Sequence, residues 1–515
     1  MTRHVKMKKH SIVSIGLLLS CWFLIFSKSI FANNDIDFSE ISIDSLFDFI
    51  TPLVIADVLP QQGKEIISLT IDENNQRWLT IYGIVKTSQH FKILDKVALP
   101  DSFYSFDFTD YKKGQLQKLY FLGKQRLFIY QATNTFTSVA KAPSLFIKEK
   151  STRMERGDFI VDLNNDNFTD AIIADFSQTH LLIGQADGSM VSQSLPIEPQ
   201  VTLFDKGASY NRTKVYLSDM NFDNQTDIVV AGEGKLVVYY QNEKNIFSVI
   251  PNNIKLAQDI SGVQWWDKKD KSGNTLDQSD LKYRQLTEIR DINNDHIADI
   301  IVRFTQSSGV LDKVNDYEIY LGKQEQNNTI FENKSSNVIH TEGTLTGLEF
   351  VDINNDKQLE VLLSGFDIGL SEIIGALLSG SIDQNVYIFM MNEKSIFPEK
   401  PQTHKSVELN FSLSSGQTGS SIVKLVDVNG DGLLDLVLSQ ESKLLKIYFA
   451  QAQKTQNKRL FNKRPVKYKT LLPTEGDNVL FDDLNQDGKV DMVMYFSHLD
   501  NKKLRKKIKI LLALN

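Results

Sequence analysis

Asp427-Val428-Asn429-Gly430-Asp431-Gly432-Leu433-Leu434-Asp435 sets an acidic or amide side chain at alternate positions and adds a fourth such group four residues later. The same nine-residue frame returns five more times. It stands as Asp162, Asn164, Asp166, Phe168 and Asp170; as Asp219, Asn221, Asp223, Gln225 and Asp227; and as Asp291, Asn293, Asp295, Ile297 and Asp299, counting positions 1, 3, 5, 7 and 9. It recurs as Asp352, Asn354, Asp356, Gln358 and Glu360, and as Asp483, Asn485, Asp487, Lys489 and Asp491. In the first-quoted copy position 7 is Leu433. A pattern repeated at this length marks a repeat architecture.

Apolar runs of strand length flank every copy. One precedes it, as in Val423 to Val426. A second follows at once, as in Ile228 to Val230 or Leu436 to Leu438. A third, often ending in tyrosine, comes about ten residues on, as in Lys235 to Tyr239 and Leu445 to Tyr448. Their β-branched and aromatic content reads as strand. A ragged fourth run completes four short strands per unit, which is one propeller blade. Two degraded copies lie upstream: Asp57 to Glu65 keeps only its first and last acids, and Asp107 to Asp110 keeps the flanking strands but not the loop. Unit starts at 57, 107, 162, 219, 291, 352, 427 and 483 predict an all-β propeller of eight blades, with seven plus an N-terminal strand pair as the alternative. The chain ends after the third strand of the last unit, while Phe38 to Ile50 forms a spare strand ahead of the first. That strand is expected to complete the last blade and remove an open sheet edge.

The loop spacing has a metal logic. Side chains at positions 1, 3, 5 and 9, with a backbone carbonyl at 7, make an all-oxygen shell with three carboxylates in a tight loop, and calcium suits that shell better than magnesium. No sulfur or histidine occupies a ligand position, which disfavours zinc and copper. Gly432 and Gly488 occupy position 6, where a sharp turn favours positive φ; Asn167, Asn224, His296 and Lys357 stand there in the other copies. An EF-hand would need a glutamate at position 12, but Ile173, Val230, Val302, Leu363, Leu438 and Met494 stand there. Plain Asx turns are the alternative reading, although a turn does not require three crowded carboxylates.

These loops and their strand context resemble the FG-GAP/VCBS repeat family, known from the propeller heads of integrin α subunits and from secreted bacterial proteins. The likeness spans roughly residues 45 to 515. It implies about six Ca²⁺ sites on one rim of a ring of blades, carried over only to the six complete loops. The phenylalanine-glycine and glycine-alanine-proline signatures of the integrin version are not legible, so an integrin-type ligand is not implied.

The chain has 515 residues, and Cys21 is its single cysteine, which excludes an intramolecular disulfide framework. Residues 1–32 read as a secretory signal peptide: basic Arg3, Lys6, Lys8 and Lys9, an apolar run from Ser11 to Phe26, and Ala32 as the small residue for cleavage. An uncleaved anchor and lipid attachment at Cys21 are the alternatives, and only they would tie the chain to a membrane. Cleavage removes five basic residues and moves the formal charge from −7 to −12. Such a chain is a poor nucleic-acid ligand, because phosphate binding relies on basic patches. Residues 33–515 are read as one exported propeller domain, periplasmic, secreted or at the cell surface.

Catalytic motifs are absent. There is no nucleophile elbow, phosphate loop, dinucleotide fingerprint or zinc-protease helix, and His90, His180, His296, His340, His404 and His498 are scattered singly as expected surface or turn residues. Two inserts interrupt the blade rhythm. Pro251 to Gln285 carries Trp265 and Trp266; Gly365 to Asp383 places Leu370, Ile373, Ile374, Leu377 and Leu378 on one helical face, expected to pack on the protein itself. The cluster Lys502, Lys503, Arg505, Lys506 and Lys507 reads as a solvated hairpin. The function expected is a non-catalytic calcium-binding module that grips a protein or glycan; the alternative is a hydrolase or lyase acting on a surface polymer in the propeller funnel.

Overall fold

A computed structural model describes residues 36–514, apart from 86–89, 133–134, 146–153, 205–206, 271–272, 310–312, 342, 367–374, 377–378, 413–416 and 452–458. The proposed signal segment and the apolar stripe from Leu370 to Leu378 therefore lie outside the described residues. The rest is a β-propeller of eight four-stranded antiparallel blades around a common axis.

The first two blades, built on the degraded loops, comprise Val54–Ala56, Glu65–Ile71, Arg77–Val85 and His90–Leu99, then Phe103–Phe108, Leu119–Gly123, Arg126–Gln131 and Thr135–Lys141. Blade 3 is Ile160–Val161, Asp170–Ala174, Thr179–Gly184 and Met190–Leu195; blade 4 is Val215–Ser218, Asp227–Gly232, Lys235–Tyr239 and Asn252–Lys255. Blade 5 is Leu281–Arg290, Asp299–Ser307, Lys313–Tyr320 and Asn337–Ile339, and blade 6 is Thr344–Val351, Glu360–Phe366, Ser381–Phe389 and Thr403–Ser412. Blade 7 is Val423–Val426, Asp435–Gln440, Leu444–Tyr448 and Val466–Lys469. Blade 8 has Val479–Asp482, Asp491–Tyr495 and Lys507–Ala513 from the C-terminal end, and its outer strand is Phe38–Asp44, paired antiparallel from Phe38 against Ala513 to Asp44 against Lys507. The eight-blade count and the closing N-terminal strand expected from the repeat spacing are thus observed.

The core lies between blades. The middle strands are buried on both faces, so they run as continuous apolar segments such as Ile228, Val229 and Leu236, Val238, each fully buried. Eight apolar clusters fill the eight interfaces in turn. The one joining the ends of the ring packs Leu53, Ile66 and Tyr82 of blade 1 against Val493, Ile508 and Ile510 of blade 8. Each fully buried large side chain contributes roughly 1.5–3 kcal/mol. Closure therefore rests on hydrophobic packing as well as strand pairing.

Three features depart from the repeat. The insert expected over Pro251 to Gln285 is smaller than its boundaries suggested, because Asn252–Lys255 is the outer strand of blade 4 and Leu281–Arg290 starts blade 5. Among the described residues the irregular part is 262–270 and 273–280. Two unforeseen hairpins are added: Gln200–Phe204 with Gly207–Asn211 in the link between blades 3 and 4, and Gly322–Glu325 with Asn328–Phe331 between the third and fourth strands of blade 5. The first carries Leu203 and Phe204 at 74% and 63% exposure.

Candidate functional site

In antiparallel blades the loops joining strands one and two all leave from one end of the ring. The six complete loops therefore share a rim, and they share one hydrogen-bond network. The first-position carboxylate accepts the position-6 N–H at 2.7–3.1 Å. The position-3 asparagine amide donates to the position-5 carboxylate at 2.8–3.1 Å. The other oxygen of that carboxylate accepts the position-7 N–H at 2.7–3.0 Å. So Phe168, Gln225, Ile297, Gln358, Leu433 and Lys489 turn their N–H groups inward.

Position 6 has positive φ in every copy, at Asn167, Asn224, His296, Lys357, Gly432 and Gly488. Position 4 does too, at Asn165, Phe222, Asn294, Asn355, Gly430 and Gln486, which the motif alone did not disclose. Two left-handed residues separated by a single residue are what wind nine residues into a compact loop.

The ninth position behaves differently from positions 1, 3 and 5. Asp170, Asp227, Asp299, Glu360, Asp435 and Asp491 are completely buried. One oxygen of each accepts the position-2 N–H at 2.8–3.1 Å. In the five aspartates the second oxygen accepts an N–H at or just past the end of the third strand, from Gly184, Gln241, Gly322, Ala450 or Ala513, at 2.7–2.9 Å. The ninth residue is therefore a latch between loop and blade. Burial drives its pKa up against these donors, and the carboxylates at positions 5 and 1 add to the rise: to about 6 for Asp170 and about 7 for Asp227, Asp299, Glu360, Asp435 and Asp491.

Among the described residues no three acidic, histidine or cysteine side chains are drawn together closely enough to enclose an ion. The donor set still fits a hard cation. It is all oxygen, the carboxylates at positions 5 and 1 raise the proton affinity of the ninth, and in the blade-6 loop the Glu360 Oε1 atom is buried without a hydrogen-bond partner. Positions 1, 3 and 5, the position-7 carbonyl and the ninth carboxylate would hold the ion, whose contribution would be to offset their repulsion.

The degraded loops are plugged by protein groups. In blade 1 Glu65 accepts the Val58 and Leu59 N–H groups at 2.8 and 3.2 Å and the Gln61 amide at 2.8 Å, so a side chain fills the loop. In blade 2 Asp107 lies within a strand, where it accepts the Ile160 N–H at 2.8 Å and pairs with Arg156 at 3.1 Å. Backbone bonds link many neighbouring loops along the rim: Leu359 N–H to Ile292 at 2.8 Å, Val490 to Asp427 at 3.2 Å, Lys64 to Leu484 at 2.9 Å and Gln117 to Asp57 at 2.6 Å.

The opposite rim, made of the turns joining strands two and three and the links between blades, carries the clefts. The larger, 1430 Å³, opens between blades 8, 1 and 2, with Phe49, Pro52, Phe481 and Phe496 in its walls and His498, Lys502, Arg505 and Lys506 at its edge. Several of its charges are paired: Asp482 with Lys64 at 2.6 Å, Asp48 with Lys506 at 3.8 Å, and Arg505 with the carbonyls of His498 and Asp500 at 2.6 and 3.1 Å. The hairpin read as solvated is thus pinned by Arg505, while Lys502 and Lys503 stay exposed. A second cleft of 640 Å³ lies between blades 6 and 7, edged by Glu349 and Asp477 over Leu348, Phe366 and Leu409.

Trp265 and Trp266 meet edge to face at 5.3 Å; the Lys313 ammonium lies 4.3 Å from the Trp265 ring, and Trp266 is 49% exposed. One indole therefore packs and the other faces solvent. His180 corrects the expectation of a surface residue: it is buried in blade 3 with Nδ1 2.9 Å from the Ser194 hydroxyl. His296 is exposed at its loop tip, as expected.

Neither a protein-family model nor a curated protein matches the sequence. Solved structures similar to the chain include the Dos1 propeller, at 8% identity over 93% of this chain and 95% of that one with a TM-score of 0.40. An Agrocybe aegerita lectin that recognises non-reducing terminal N-acetylglucosamine is similar at 12% identity over 83% and 86% with a TM-score of 0.33. The V. cholerae biofilm matrix protein Bap1 is similar at 10% identity over 93% and 92% with a TM-score of 0.32. At such values no binding property transfers.

Proposed function

We propose that this chain is an exported, calcium-stabilised propeller of the FG-GAP/VCBS kind, working without catalysis as a binding module for a protein or glycan. The observation that carries the binding reading is the 1430 Å³ cleft on the face opposite the acidic loops. It exceeds the roughly 300–1,000 Å³ of small-molecule sites, which suits an extended ligand segment. Aromatic and aliphatic walls with a rim of charges fit contact with a chain rather than proton transfer. The carboxyls with strongly raised pKa, which would be the candidates for acid–base work, lie in the opposite rim loops and serve as latches there. The division of labour is then one face for metal and rigidity, the other for recognition.

Residues 33–515 would be titrated with calcium in native mass spectrometry, melted with calcium and with chelator, and applied to glycan and peptide arrays in both conditions. Five or six bound ions, a higher melting temperature in calcium and calcium-dependent binding weakened by Phe481→Ala support the reading. No bound ion with an unchanged melt removes the calcium claim. Turnover of a bound polymer replaces the binding module with the hydrolase or lyase alternative.

A further inference from the structure

The acidic loops form an arc over blades 3 to 8, and blades 1 and 2 interrupt it. At each end of the arc a degraded loop sends a lysine across the blade boundary. Lys64 of blade 1 pairs with Asp482, immediately before the blade-8 loop, at 2.6 Å. Lys112 of blade 2 goes further, into the blade-3 loop itself. Its ammonium donates to Asn167 Oδ1 at 2.8 Å and stands 3.5 Å from Asp162 Oδ2, the first-position carboxylate. None of the other five first-position carboxylates, Asp219, Asp291, Asp352, Asp427 and Asp483, makes an ion pair among the described residues.

The presentation of Lys112 is local. Gln115 N–H donates to the Lys112 carbonyl at 2.9 Å, and Gly114 takes φ +81° within that turn. A left-handed glycine thus turns the chain where the ordinary loop would have continued. The side chain is 40% exposed and borders an 80 Å³ void shared with Asp162, Asn167 and Phe168, so the stem has room to move without disturbing the core.

We infer that Lys112 is a tethered counter-cation of the blade-3 loop, which competes with a divalent ion for Asp162 and leaves this loop the weakest of the six for calcium. The inference rests on the calcium reading above. An ammonium already neutralises part of the charge that would attract the ion, and a divalent cation must repel or displace it to reach the same carboxylate. The pair is partly solvated, so the effect is that of a screened interaction, about three- to tenfold in affinity.

Hydrogen exchange of residues 33–515 across a free-calcium titration tests this one loop at a time. In the unmodified chain, peptides covering 162–170 should gain protection at about three- to tenfold higher calcium than peptides covering 291–299. Lys112→Met, which keeps the aliphatic stem, should bring the two midpoints together, and Lys112→Arg should keep them apart. Coincident midpoints in the unmodified chain, or an offset that survives Lys112→Met, overturn the inference while the calcium reading stands. Loops that do not respond to calcium at all overturn both.

Discussion

Phe38 lies directly opposite Ala513 in the outer strand pair of blade 8, joining the two ends of the described chain in one sheet. Its ring is 6% exposed and meets Tyr468 of blade 7 edge to face at 4.9 Å. The closing strand therefore stitches two blades, and its loss would leave Lys507–Ala513 as an unpaired edge. Phe38→Ala should cost about 3–5 kcal/mol, read as a drop in denaturation midpoint. Deleting residues 33–44 should go further and promote association through the freed strand, read by light scattering.

The latch at position 9 makes a second expectation. Asp435 accepts the Val428 N–H at 3.1 Å in a buried bond and the Ala450 N–H at 2.8 Å in a partly buried one. Asp435→Asn replaces one acceptor with a donor that faces an N–H. A loss of about 2–3 kcal/mol should follow, and it should persist in chelator, because the unmet backbone groups do not depend on metal. A loss seen only in calcium would mean that the residue acts as a ligand alone.

The pH dependence in chelator follows from the same residues. Their folded pKa values, about 6 for Asp170 and about 7 for Asp227, Asp299, Glu360, Asp435 and Asp491, lie above an unfolded value near 4. The folded state therefore holds these protons more tightly. Their contribution is full below about pH 4 and is lost as pH rises through about 7. The metal-free protein should melt at a higher temperature at pH 5 than at pH 8, and saturating calcium should flatten or reverse that trend. A metal-free melt that climbs with pH across this window would refute the assignment.

Backbone strain in the loops is separable from metal. Gly432 has φ +85°, and a Cβ added there would meet nothing within 4 Å. Gly432→Ala should therefore cost about 1 kcal/mol through conformation alone. Lys357 holds the equivalent place at φ +73° with a full side chain, so Lys357→Gly should shift stability the opposite way by a smaller amount. Chemical denaturation of the two variants in chelator checks both signs.

Much of the architecture could be read along the chain. A nine-residue loop and the three strand runs around it are local in sequence, so their periodicity and spacing determined eight blades and a terminal strand to close the last one. The positions of the acids, the turn at position 6 and the failure of the first two loops were equally legible, because each depends on residue type within one turn of chain. The role of a side chain depended on distant partners. Nothing near Asp491 shows that Ala513 N–H would take its second oxygen, nothing near Lys64 points to Asp482, and nothing near Lys112 points to Asp162. The true extent of the insert before blade 5, the two unforeseen hairpins, the burial of His180 and the cleft between blades 8, 1 and 2 likewise appear only once the ring is closed. Repeats state what each blade is, whereas packing of blade on blade brings together residues hundreds of positions apart and decides which carboxylate latches, which is paired and which faces solvent.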